Sequence, residues 1–284
     1  MKFISSYKDT GAEATIGGIH ITDAPARPEP RMAFIPAVGH SEGLQFSVVI
    51  PTLNEEKMLP QALRQFTPEL RAQYDIEIIV SDGGSTDKTL EIAGQGADIV
   101  VRHTLPSRQT IAQGRNMGAA AAHGNILVFM NADTLFASAS VFFASITDAF
   151  LQRKTDAIAF PVRVFPQECT AFDTLFHTIY NKYIHALNII GLGMGRGECQ
   201  VVRRSTFEDV NGYNEILTAG EDFDLYRRIR QEEGILFMNN CVVYESPRRY
   251  RKFGYGGVVW SWFKNAISVM FVHKSVSDIW EQVR

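Results

Sequence analysis

The sequence predicts an α/β fold, with a central mixed, mostly parallel sheet flanked by helices. Two observations carry this expectation. From Phe46 to Met130, short β-branched runs alternate with stretches of helical period, which is the pattern of strands joined by helical crossovers. Three of those runs end in polar loops, Pro51-Thr52-Leu53-Asn54-Glu55, Ser81-Asp82-Gly83-Gly84 and Asn131-Ala132-Asp133. Right-handed crossovers bring such loops to one rim beyond the carboxyl ends of the strands, where ligands of open α/β sheets bind.

Taken in order, residues 1–43 hold four prolines between Pro25 and Pro36 and neither a strand nor a helix period. They read as an N-terminal arm, disordered or wrapped over the domain. Phe46–Pro51 reads as a buried strand, and Glu55–Phe66 as a helix whose apolar face includes Met58, Ala62 and Leu63, closed by Pro68. Ile76–Val80 is the second strand, and Ser85 is placed to cap a helix starting near Thr86. A short strand over 98–102, a helix over Thr110–Ala122 and a strand over Asn125–Met130 follow. Beyond Ala137 the spacing predicts helices near 138–151 and 169–190, a strand near 157–164, a glycine-rich turn at 191–197, a helix over 222–231 and two last short strands. One folded domain over 44–250 is expected, in halves 44–136 and 137–250, with a helical extension over 251–284.

Composition narrows the partners. The 284 residues are 45% hydrophobic and 21% charged, with 28 basic against 31 acidic side chains and a formal net charge of −3, so nothing global advertises nucleic acid as a partner. Cys169, Cys199 and Cys241 have neither disulfide nor zinc spacing, which favours a reducing, cytoplasmic setting. The first residues lack the apolar run of a secretory signal. The stretch Phe253–Val272, interrupted by Lys264 and Asn265, reads as an ordinary packed helix or as one that touches a membrane surface.

Several side chains invite chemistry. Asp82 is placed to accept hydrogen bonds from a nucleobase or ribose, or to cap its own turn. Asp133, beside Asn131, offers hard oxygens for magnesium or manganese with a diphosphate, or a helix cap. Arg115 presents a fork of donors to a diphosphate, or lies solvated on a surface. Glu221 and Asp222 open a helix, where the macrodipole stabilises negative charge, and Asp222 is also a candidate general base. Arg248, Arg249, Arg251 and Lys252 put four cations in five positions, suited to phosphates, to an acidic membrane surface or simply to water.

Together, Val48-Val49-Ile50-Pro51-Thr52-Leu53-Asn54-Glu55-Glu56, Val80-Ser81-Asp82-Gly83-Gly84-Ser85-Thr86-Asp87, Gly114-Arg115-Asn116-Met117-Gly118 and Gly220-Glu221-Asp222 resemble, in order and spacing, the family 2 inverting glycosyltransferases. The resemblance covers roughly residues 46–250 and implies a GT-A fold, a Rossmann-like nucleotide-diphospho-sugar-binding half (44–136) joined to an acceptor-binding half (137–250). It implies that Pro51, Leu53 and Glu55 surround the nucleoside, that Asp82 bonds the base and that Arg115 approaches the diphosphate. Asn131-Ala132-Asp133 occupies the family's Asp-x-Asp motif, with Asp133 as the Mg2+ or Mn2+ ligand and Asn131 in place of the first acid. Asp222 is then the base, supported by Glu221, and Arg248 and Arg249 contact diphosphate or acceptor phosphate. The implied donor is a nucleotide-diphospho-sugar, UDP-sugar favoured over GDP-sugar. The acceptor is a hydroxyl of a glycan, lipid or small molecule; polyprenyl phosphate and a nucleotide-sugar-binding protein without turnover are the alternatives. Peripheral contact at the inner face of a membrane is compatible with it. A dinucleotide-dependent oxidoreductase would need a Gly-x-Gly-x-x-Gly turn where Pro51–Glu55 stands.

Overall fold

The computed structural model describes residues 14–16, 19–23, 43–105, 107–152, 155–232 and 234–272. The first elements are β1 (Ala14–Ile16), β2 (Ile19–Asp23), β3 (Phe46–Thr52), α1 (Leu59–Arg64), α2 (Pro68–Tyr74), β4 (Ile76–Asp82) and α3 (Thr89–Gly96). Next come β5 (Ile99–His103), α4 (Ile111–Ala121), β6 (Ile126–Met130), β7 (Thr134–Phe136), α5 (Ala139–Gln152), β8 (Ala157–Ala159) and β9 (Val162–Val164). The chain continues through α6 (Ala171–Ile189), β10 (Cys199–Arg203), α7 (Arg204–Asp209), α8 (Glu221–Glu232), β11 (Ile235–Phe237), β12 (Val243–Glu245) and α9 (Arg248–Val272).

The main sheet runs in the order β1-β2-β5-β4-β3-β6-β10-β8-β11. Strand β3 lies parallel to β4 and β6, and β4 parallel to β5. Between β6 and β8, β10 is antiparallel to both neighbours. A smaller sheet, β7-β12-β9, stands beside it. Both faces of the main sheet are covered, so its strands read as unbroken apolar runs rather than as alternations. Phe46, Val48 and Ile50 point into one core with Ile78, Val80 and Phe143, whereas Val49 points into the other with Ile79, Leu127 and Phe129.

The structure departs from the expected elements where local chemistry overrides pattern. Pro68 opens a helix instead of closing one: it stands at the first position of α2, and Thr67 Oγ1 accepts from Leu70 N at 3.3 Å. A proline there loses only an amide that has no helical partner anyway. Ser85 does not cap a helix at Thr86; it bonds Asp82 and Asn54, and α3 starts at Thr89 with Asp87 Oδ1 accepting from Thr89 N at 3.0 Å. The strand expected over 157–164 is split by Phe160-Pro161, which sends β8 to the large sheet and β9 to the small one; a proline cannot donate to a ladder. Part of the arm is ordered: β1 and β2 form an antiparallel pair that extends the sheet beside β5.

Helix α4 packs so closely on β3 that a Cβ on Gly118 would lie 2.4 Å from Val49 Cγ1. Gly118→Ala gains about 0.5–1 kcal/mol of helix propensity but forces an overpacking cost of about 1–3 kcal/mol, so repulsion wins. The expected outcome is a net loss of roughly 1–2 kcal/mol in chemical denaturation, and an unchanged or raised midpoint contradicts this packing.

Candidate active site

The register Thr52↔Asp82 ends β3 and β4 together, and β6 ends on the other flank of β3. Their three loops therefore meet, and they form one wall of a cleft of about 450 Å³. Asn54 ties two of them. It sits in the left-handed region (φ 55°), its Oδ1 accepts from Thr86 N at 2.7 Å, and its own amide donates to Ser85 Oγ at 2.8 Å. Asparagine tolerates that backbone better than most residues.

Pro51, Leu53, Glu55, Asn131, Ala132 and Asp133 line the cleft, and Arg115, Glu221, Asp222, Arg248 and Arg249 line it too. Asp82 stands behind the wall, where Gly83 takes the surface. It is fully buried, and its carboxylate accepts from Thr52 Oγ1 (3.2 Å), Gly84 N (3.0 Å), Ser85 N (2.9 Å) and Ser85 Oγ. Those bonds use about four lone-pair directions, the whole capacity of a carboxylate. Asp82 shapes its own turn from behind the cleft wall.

Arg115 is also turned inward. Its guanidinium donates from Nη1 to Glu221 Oε1 (2.9 Å) and from Nη2 to Asn131 Oδ1 (3.2 Å) and the Gly197 carbonyl (2.6 Å), and it stacks over Tyr213. Burial works against its charge, but Tyr213 and Glu221 outweigh burial and hold its pKa above the ordinary value. One cation thus joins α4, the end of β6, the turn before β10 and the start of α8. Asn131 serves that cation as a neutral acceptor, and Glu221 balances its charge.

Asp222 lies half-buried on the cleft wall next to buried Glu221. Burial, then the neighbouring Glu221 charge, push its carboxyl up to about 7, while Arg115 pulls the other way. A carboxylate tuned near neutrality is suited to take a proton from a hydroxyl. Across the cleft, Arg248 Nη2 donates to Asp133 Oδ2 (3.0 Å) and Glu55 Oε2 (3.3 Å), so the basic segment at the start of α9 is anchored on two of the strand-end loops. Burial opposes the charge of Arg248, and Asp133 and Glu55 more than restore it; burial pushes Arg249 down.

The sequence did not single out the deeper floor. Arg196 is buried, clamps Glu198 through two hydrogen bonds (3.1 and 3.0 Å), and donates to Glu245 Oε1 at 2.6 Å. Tyr180 and Trp262 stack against it. Burial pushes the Glu198 carboxyl up, but Arg196 outweighs it and holds it at about 2; Glu245 is pushed well up by burial and by Glu198. Only the glycines around Arg196-Gly197-Glu198 hinted at a special turn, and no pattern joins these residues to Glu245.

A divalent cation has a limited protein donor set here. Among the described residues no group of three or more His, Cys, Asp or Glu is placed to hold a metal, and Asp133 is the carboxylate at the motif. That set fits a cation shared with a bound diphosphate, since magnesium is commonly held by one or two carboxylates plus phosphate oxygens and water.

A strand-end cleft on a mostly parallel sheet, with β10 reversed between β6 and β8, defines the GT-A fold class. Solved structures agree. A mannosyltransferase from Pyrobaculum calidifontis in complex with GDP-Man and Mn2+ superposes with a TM-score of 0.60 at 18% identity, covering 80% of this chain and 62% of that one. Glucosyl-3-phosphoglycerate synthase from Mycobacterium tuberculosis, with Mn2+, UDP and glucosyl-3-phosphoglycerate, superposes with a TM-score of 0.54 at 20% identity, covering 82% and 80%. The glycosyl transferase family 2 model matches residues 47–210, more than half of the chain, and the chain belongs to that family. A PGL/p-HBAD biosynthesis glycosyltransferase of Mycobacterium bovis is 36% identical over 91 residues, 31% of this chain and 35% of the relative. Validoxylamine A glucosyltransferase of Streptomyces hygroscopicus subsp. limoneus is 35% identical over 94 residues, 31% of this chain and 20% of the relative. The similarity thus spans about a third of the first relative and a fifth of the second.

Arg115→Ala leaves Glu221 buried without its partner, and a broken buried pair costs about 3–5 kcal/mol. Chemical denaturation is expected to show a loss of that size. A loss below about 1 kcal/mol, the scale of a solvated ion pair, contradicts the inward role.

Proposed function

We propose that this protein is an inverting glycosyltransferase that moves a sugar from a nucleotide-diphospho-sugar, with UDP favoured and GDP the alternative carrier, to an acceptor hydroxyl. The observation that carries the reading is Asp222, with its carboxyl raised toward neutrality, in the same cleft as the rim formed by Asp133, Arg248 and Arg249. The nucleoside would rest on Pro51, Leu53 and Gly83, with Glu55 at the edge and Asp82 stiffening the turn beneath. Arg248 and Arg249 would meet the diphosphate.

Asp222 then accepts the hydroxyl proton of the acceptor while that oxygen forms its bond to the anomeric carbon from the face opposite the leaving group. The bond from that carbon to the β-phosphate oxygen breaks, and its electron pair leaves with the nucleoside diphosphate. Glu221 keeps Asp222 basic through like-charge repulsion, and Arg115 keeps Glu221 in place. A magnesium or manganese ion at Asp133 would neutralise charge on the departing diphosphate; Arg248, now paired to Asp133, is the group that would have to share that carboxylate.

Asp222→Asn is expected to lower kcat by about 10²–10⁴, the range of a lost general base, while donor affinity measured by calorimetry stays within a few-fold. Parallel loss of donor binding contradicts the assignment. Because the base must be ionised and its pKa is raised, kcat/KM should fall as pH drops through about 7. Removing a like charge favours ionisation, so Glu221→Gln should move that acid limb to lower pH; a limb that stays put or moves upward refutes the coupling.

Mn2+ alone is expected to leave the melting temperature nearly unchanged, and Mn2+ with UDP to raise it more than UDP does. Asp133→Ala should abolish the metal-dependent part. A full Mn2+ effect retained in that variant would remove Asp133 from the site.

A further inference from the structure

Helix α6 is polar inside and apolar outside. Its buried positions are Asp173, His177, Ile184 and Asn188. Its exposed large side chains are Phe172, Leu175, Ile179, Tyr183 and Ile189, with Ile179 60% and Ile189 71% accessible, and Ile190 just beyond is 68%. Phe172, Leu175, Ile179 and Tyr183 recur three or four residues apart and form one stripe. A surface helix in water shows the reverse arrangement.

The stripe continues onto α9. Phe172 meets Tyr255 with ring centroids 4.9 Å apart, and Tyr180 stacks on Trp262 at 5.2 Å, so the two helices share a seam. Beside it, Trp260 and Phe263 are 60% and 54% exposed. A contiguous apolar surface of this kind marks an interaction site.

The charge of this surface selects the occupant. Between Ala171 and Gly197 the only acid is Asp173, which is buried and paired with Arg251; between Ser246 and Ser277 there is no acid at all. Lys182, Lys252 and Lys264 are exposed there. Lys252 lies over the ring of Phe253 (5.1 Å) and Lys264 over that of Trp260 (6.0 Å), which pairs an aromatic body with a cationic tip, as at a lipid headgroup boundary. No helix among the described residues is long and apolar enough to cross a membrane.

We propose that the outer face of α6 and α9 docks on an anionic lipid bilayer, with the apolar stripe in the headgroup boundary and the lysines against the acidic lipids. Tyr180 and Trp262, at the seam, also line the cleft. On the transferase reading, this sets the acceptor end of the cleft next to the bilayer and makes a lipid-borne hydroxyl the acceptor class.

Co-sedimentation with vesicles of phosphatidylcholine containing one third phosphatidylglycerol tests the docking without any transfer, so its failure leaves the transferase reading untouched. The protein is expected to sediment with these vesicles more strongly than with phosphatidylcholine alone. Ile179→Asp and Trp260→Asp, both at exposed positions, should each weaken binding by roughly tenfold or more, the scale of withdrawing one large apolar side chain from its buried place, with melting temperatures unchanged. The proposal is overturned by absent binding to the anionic vesicles or by binding that neither substitution alters. It is likewise overturned by a dimer in analytical ultracentrifugation that Ile179→Asp dissociates, which would assign the face to a second copy.

Discussion

The buried guanidinium of Arg115 holds the cleft together. It comes from a helix of the first half of the chain, yet its partners, Glu221, Asn131 and Gly197, lie on three other segments. A buried charge is costly unless it is paired and hydrogen-bonded, and here the pairing can be completed only when α8, the β6 loop and the turn before β10 are all in place. The folded arrangement that pairs the two terminal nitrogens of Arg115 is therefore the one that fixes Glu221, and with it Asp222, at the cleft. Stability and the tuning of the proposed base depend on the same ion pair.

Arg196 and Arg248 repeat that logic elsewhere on the wall. Arg196 draws Glu198 and Glu245 together beneath aromatic rings, and Arg248 holds both Glu55 and Asp133, each more than a hundred residues before it in the chain. Three cations of the cleft wall, Arg115, Arg196 and Arg248, are thus already balanced by carboxylates. A bound diphosphate would redistribute these pairs and would not enter a bare positive pocket.

Much of this was legible in the sequence because it is local. The strands are apolar runs, the loops after β3, β4 and β6 are polar, and crossover handedness brings them to one rim; Asn131-Ala132-Asp133 lines the cleft, and so does Glu221-Asp222, which only the family resemblance had joined to those loops. What the sequence concealed is set by long-range geometry. The reversal of β10 depends on its neighbours β6 and β8, not on its own residues Cys199–Arg203. Asp82 and Arg115 look like ligand-facing groups in their motifs, and only the folded loops show that both turn inward to partners of the chain itself. The polarity of α6 is invisible without knowing which of its faces is covered, since its periodicity fits either side.

We propose that the three strand-end loops and the Arg115-anchored start of α8 form one donor site with Asp222 facing the acceptor. A crystal structure with UDP and Mn2+ bound tests this most directly. The expected result is the diphosphate between Asp133 and the Arg248-Arg249 segment, the uracil over Gly83 and the Asp222 carboxylate toward the open end of the same cleft. A nucleotide bound on another face of the sheet, or one that places Asp222 against the base, would contradict it.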